Sequence, residues 1–126
     1  MTSIRLLATA SLTASLAAAA LPAWSSTLTP GQLDAAKRVY VGAAQCDAGK
    51  SVTLTPVTGK EGHFTLQHGK ARYTLVPEET STGAVRLEDK KAGIVWIQIP
   101  AKSMLMNAKL GQRVADGCKH AEQAAG

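Results

Sequence analysis

The sequence holds no run of more than two cations, no Cys-x-x-Cys and no His-x-x-x-His, and each gap removes a class of function. Without the tight spacings, a metal site built from Cys46, Cys118, His63, His68 or His120 has no local framework. Aromatics are scarce too, with one Phe, two Trp and two Tyr. The formal charge of +5 is therefore not interleaved with stacking side chains, and its Lys and Arg residues alternate with Asp and Glu along the chain. That pattern is a solvated basic face and not a nucleic-acid surface. Catalysis lacks a framework as well. Ser81 has no histidine near it in sequence and the three histidines are scattered, so the chain does not read as an enzyme, and no cofactor or metal is expected.

What is present begins with an Ala- and Leu-rich run. Residues Met1 to Ala23 carry one early cation, Arg5, and end in Leu21-Pro22-Ala23, which reads as a cleaved signal peptide. The apolar run is short and no basic stop-transfer cluster follows, so no membrane anchor is expected. The mature chain then starts near Trp24 in an oxidising compartment, the periplasm. There Cys46 and Cys118, the only cysteines, read first as a disulfide. Closing so long a loop is worth about 4 kcal/mol in the chain-entropy model, comparable to the net stability of a small domain.

Residues 24–37 form a polar leader and a short helix, with Thr29 as N-cap and Pro30 in the first turn. From Arg38 the hydrophobic period changes to two. Short alternating segments follow: a first strand from Arg38 into Cys46, then SVTLTPV, HFTLQH, ARYTLV ended by Pro77, AVRLED, IVWIQI, SMLM and QRVADGC. Turns rich in Gly, Asp or Pro separate them, and no long helix intervenes. The expected fold is all-β, a small antiparallel eight-stranded β-barrel over 38–118 with a short N-terminal helix. Cys46 ends the first strand and Cys118 the last, so a bond between them would protect the two edges that closure must manage. Residues 119–126 read as a flexible tail.

The most structured stretch is 79–106. It contains the hydroxyl-rich turn Thr80, Ser81, Thr82 and Gly83, the hydrophobic strand around Trp96, and a basic turn at Lys102. Trp96 reads as core, and Met104 and Met106 as alternating with a buried Leu105.

Taken in order, Cys46-Asp47-Ala48-Gly49, Tyr73-Thr74-Leu75, Ser81-Thr82-Gly83-Ala84 preceded by Thr80, then Trp96, Lys102 and Cys118 resemble the bacterial inhibitors of c-type lysozyme. These are membrane-bound and periplasmic proteins that share one small antiparallel barrel. The resemblance spans residues 40–118. It implies a protein partner, c-type lysozyme, whose cleft the loop at Thr80, Ser81, Thr82 and Gly83 would enter. Thr80 and Thr82 stand where the family has Ser, and Lys102 is the candidate cation. An ungapped count from Trp96 puts Gln98 at that second position instead. Donors set between the two carboxyl groups of a glycosidase would occupy both. Two alternatives stay open: an envelope barrel of the same fold that binds another ligand or partner, and a homodimer through exposed strand faces.

Overall fold

The computed structural model describes residue 13 and residues 28–124. The expected signal peptide at 1–23 and the leader residues 24–27 lie outside this range, apart from that single residue.

Helix α1, Pro30–Lys37, forms where the local chemistry supports both of its ends. The Thr29 hydroxyl accepts from the Gln32 N–H at 3.0 Å, and the Gln32 side-chain oxygen accepts from the Thr29 N–H at 2.8 Å. This reciprocal capping box satisfies two otherwise orphaned donors, and Pro30 needs none at that position. Gln32 also donates from Nε2 to the Pro77 carbonyl at 2.7 Å, which ties the helix to the barrel.

Eight strands follow among the described residues: β1 Gly42–Gln45, β2 Ser51–Pro56, β3 Phe64–His68, β4 Ala71–Glu78, β5 Val85–Asp89, β6 Ile94–Gln98, β7 Ser103–Asn107 and β8 Gln112–Cys118. Each pairs antiparallel with the next in sequence order, the up-and-down arrangement of a nearly closed barrel. The register stacks inward-facing residues opposite one another: Leu54 faces Leu66 across β2 and β3, and Leu87, Trp96, Leu105 and Ala115 run in a row across β5 to β8. All six of those from Leu54 through Leu105 and Ala115 are buried, and Trp96 is wholly so. The period-two alternation read from the sequence is therefore the inside–outside alternation of the barrel wall.

The barrel closes with few bonds. β1 and β8 share no ladder, but Gln45 and Lys119 exchange two backbone hydrogen bonds, at 3.0 and 2.9 Å. Next to that bridge Cys46 and Cys118 are joined as a disulfide. Gly117 lies against the Asp47 carboxylate so closely that a Cβ there would overlap it, in a backbone conformation (φ +61°) that already favours glycine.

Three expectations are corrected. The first strand does not begin at Arg38. Residues 38–41 are irregular, and pairing starts at Gly42 (φ +97°), where the chain is redirected. Pro77 does not end its strand either. β3 pairs with β4 only as far as Leu75, while β5 pairs from Val76, so at Pro77 the side that lacks an N–H faces no β3 partner. Finally, the tail from Lys119 is held through α2, Ala121–Ala124. His120 and Gln123 are buried. The Gln123 side chain donates to the Ile99 carbonyl at 2.8 Å and to Ser103 Oγ at 3.0 Å, and accepts from the His120 N–H at 2.9 Å. The His120 ring stands edge-on to Trp96, with centroids 6.2 Å apart. Polar and Ala-rich composition reads as solvated, but here His120 and Gln123 are drawn inward to close one end of the barrel while Lys119 and Glu122 stay exposed.

Up-and-down order places the connections 57–63, 79–84 and 99–102 at one pole, together with α1 and α2. The tight turns 69–70, 90–93 and 108–111 occupy the opposite ends of their strands, while 46–50 packs against the end of β8, where Cys46 bonds Cys118 and Asp47 lies against Gly117. Among the described residues no helix is long and apolar enough to cross a membrane.

Candidate functional site

The hydroxyl-rich turn is the connection between β4 and β5, and it is braced from within. Thr80 donates its hydroxyl hydrogen to the Ala84 carbonyl at 2.7 Å, while Thr82 Oγ1 accepts from the Ala84 N–H at 3.3 Å. Gly83 takes φ +85°, which a residue with a Cβ adopts only under strain, so the turn requires glycine at that point. Ser81, Thr82 and Gly83 are exposed and Thr80 is half-buried. The two threonines thus have separate duties. The Thr80 hydrogen is committed to the loop, whereas the Thr82 oxygen is used only as an acceptor and its hydrogen remains available to a partner.

A groove of about 370 Å³ runs from this turn to the β6–β7 connection, lined by Lys37, Arg38, Tyr40, Gly83, Ile99 and Pro100 among others. Gln98 forms part of its wall and is spent on the fold. Its Nε2 donates to the Arg38 carbonyl at 2.8 Å and its Oε1 accepts from the Tyr40 N–H at 2.9 Å. A buried side chain with both ends engaged is a clamp on residues 38–40, which removes Gln98 as a free second contact.

Lys102 sits in the turn 99–102, where the Ile99 N–H donates to the Lys102 carbonyl at 2.9 Å. The turn shares its pole with the 80–84 loop, but the Lys102 ammonium is directed to Asp116 of β8, at 3.5 Å. Arg113 Nη1 lies 2.8 Å from the other oxygen of Asp116, and the Gly117 N–H donates to Asp116 at 2.7 Å. That backbone donor, followed by the charges of Lys102 and Arg113, holds the Asp116 carboxyl below the usual carboxylate range against the opposing effect of partial desolvation.

The cation that does touch the loop was not singled out by the sequence. Arg38, at the C-cap of α1, donates from Nη1 to the Gly83 carbonyl at 2.9 Å. No local signal marks it, because the two residues are 45 apart in the chain.

The three histidines each face a backbone carbonyl, His63 that of Glu61, His68 that of Ser51 and His120 that of Gly42, all at 3.1 Å. None is bonded to Ser81 or to a loop threonine. Among the described residues no group of three His, Cys, Asp or Glu side chains is placed to hold a metal ion. What the pole offers chemically is a set of hydrogen-bond donors: free hydroxyls on a braced loop, a guanidinium beside them, and a groove that continues toward Ile99 and Pro100.

No protein-family model, curated protein or solved structure matches the chain. The class defined by fold and site is thus a disulfide-closed, up-and-down barrel that presents donors at one pole.

Proposed function

We propose that the protein is a periplasmic inhibitor of c-type lysozyme that inserts the Thr80–Gly83 loop into the enzyme's cleft. The observation that carries this reading is the braced turn, in which the exposed hydroxyls of Ser81 and Thr82 retain hydrogens to donate. A retaining glycosidase works with two carboxyl groups a few ångströms apart, and hydrogen bonds from a rigid insert would engage both. Because the loop is already held by its own bonds and by Gly83, little ordering entropy opposes insertion. Lys102 lies at the same pole as a second, outer cation tethered to Asp116. The disulfide and the Ala-rich leader at 1–23 support an oxidising, exported setting.

The test is inhibition of a hen-type lysozyme acting on cell walls by the purified chain beginning near Trp24. Near-stoichiometric inhibition is expected. Thr82→Ala removes one hydrogen bond to a charged group and should weaken inhibition by about tenfold to a hundredfold. Absence of inhibition at molar excess would overturn the proposal and favour an envelope barrel with another ligand.

A further inference from the structure

Arg38 combines a fixed base with a guanidinium that is only partly used. Its backbone is held on both sides: the N–H donates to the Ala35 carbonyl at 3.0 Å and the carbonyl accepts from Gln98 Nε2 at 2.8 Å. Of the five N–H donors on its side chain, one goes to Gly83. The remaining neighbour is Asp34, one helical turn earlier, with Nε and Oδ2 3.6 Å apart and side chains 46% and 72% exposed. An ion pair of that length and exposure contributes little, so the guanidinium gives up little by turning to another carboxylate.

The position matters as much as the charge. Gly83 directly follows Ser81 and Thr82, and the groove wall formed by Arg38, Tyr40 and Ile99 begins where the loop ends. Lys102 does not match this placement, since its ammonium is directed to a carboxylate that also takes Arg113 and the Gly117 N–H.

We infer that Arg38 is the principal cation of the site: it fixes the Gly83 carbonyl and offers its free N–H groups to a partner carboxylate that is received jointly by Ser81 and Thr82. The inference rests on the inhibitor reading and names the contact within it, an Arg–carboxylate pair between the end of α1 and the enzyme's cleft. The planar fork of Arg suits a carboxylate in a way that a Lys ammonium does not.

The experiment measures binding by calorimetry for the wild-type chain, Arg38→Ala and Arg38→Lys, each against lysozyme and against lysozyme variants in which one cleft carboxyl is replaced by the amide. Thermal unfolding of each chain confirms folding beforehand, and Arg38→Lys serves where Arg38→Ala is unfolded. Arg38→Ala is expected to weaken binding to unmodified lysozyme by about tenfold to a hundredfold, and Arg38→Lys to recover only part of that loss. Against the amide variant that removes the matching carboxylate, the Arg38 substitutions should cost at most about twofold, since the pair is already broken. Should wild-type protein fail to bind lysozyme at all, the inhibitor reading falls and this inference with it. Should wild-type protein bind while the Arg38 substitutions cost nothing, or cost the same against every enzyme variant, Arg38 merely braces the loop. The assignment is then overturned and the inhibitor reading stands.

Discussion

Among the described residues Asp116 takes part in more salt bridges than any other carboxylate, and the consequence is a pH dependence of known sign. Its carboxyl is lowered first by the Gly117 N–H and then by Lys102 and Arg113. A carboxyl that ionises more readily in the folded chain than in the unfolded chain stabilises the fold wherever it is charged. That contribution is complete above the ordinary carboxylate range and is lost as pH falls through the lowered folded-state value. Wild-type protein should therefore melt higher than Asp116→Asn at neutral pH, and the two melting curves should converge in strong acid. A series of thermal melts across acidic pH measures this. The same residue scale shows where sequence reading stops. Gln98, His120 and Gln123 are polar, and polarity argues for solvent; all three are buried beside partners far away in sequence, which engage both ends of Gln98, the amide nitrogen of Gln123 and Nε2 of His120, while His120 Nδ1 is left without a partner among the described residues. The link from Arg38 to Gly83 is hidden for the same reason.

At the scale of elements, strands were legible and their ends were not. Alternation in HFTLQH or AVRLED reports one buried face, and the structure places Phe64, Leu66, Val85 and Leu87 inward accordingly. Where a strand starts depends on its neighbours' lengths. β4 passes through Pro77 only because β3 stops short of it, and β1 starts late because Gly42 turns the backbone. The helix was readable from its start, Thr29 as N-cap followed by Pro30, whereas the reciprocal bond from Gln32 that completes the capping box emerges only in the structure. The short α2 was not, since Ala121–Ala124 has too few residues for a periodic pattern. Its function is to bring Gln123 onto the β6–β7 turn. Gln123→Ala leaves the Ile99 carbonyl and the Ser103 hydroxyl without that donor and should cost about 1–3 kcal/mol. Denaturant titration should show the lower midpoint with an unchanged slope, since the fold is otherwise retained.

For the whole molecule, closure depends on a seam that is thin in backbone terms. Two hydrogen bonds and one disulfide join the first strand to the last, whereas every other neighbouring pair has a ladder. The sequence separation of 72 residues between the cysteines makes the bond a constraint on most of the barrel in the unfolded chain. Reduction, or replacement of both cysteines by alanine, should lower stability by about 2–5 kcal/mol. Amide hydrogen exchange at Gln45 and Lys119 should accelerate before that of the Leu87 and Trp96 strands, because local opening starts where few bonds must break.

Under the proposed function, the division between the two poles gives the molecule a working end and a handle. The residues proposed for recognition, along with both helices, lie at the end that carries the 80–84 loop. The far end consists of short turns, and at Gly69 no atom of the described residues beyond its chain neighbours lies within 4 Å of where a side chain would begin, although its φ of +61° reserves that residue itself for glycine. An attachment point for a surface or a fluorophore belongs in the His68–Lys70 turn, and a tag inserted there leaves the site facing outward. The same geometry argues against fixing the protein through residues near Thr29 or Gln123, which would press the working end against its support.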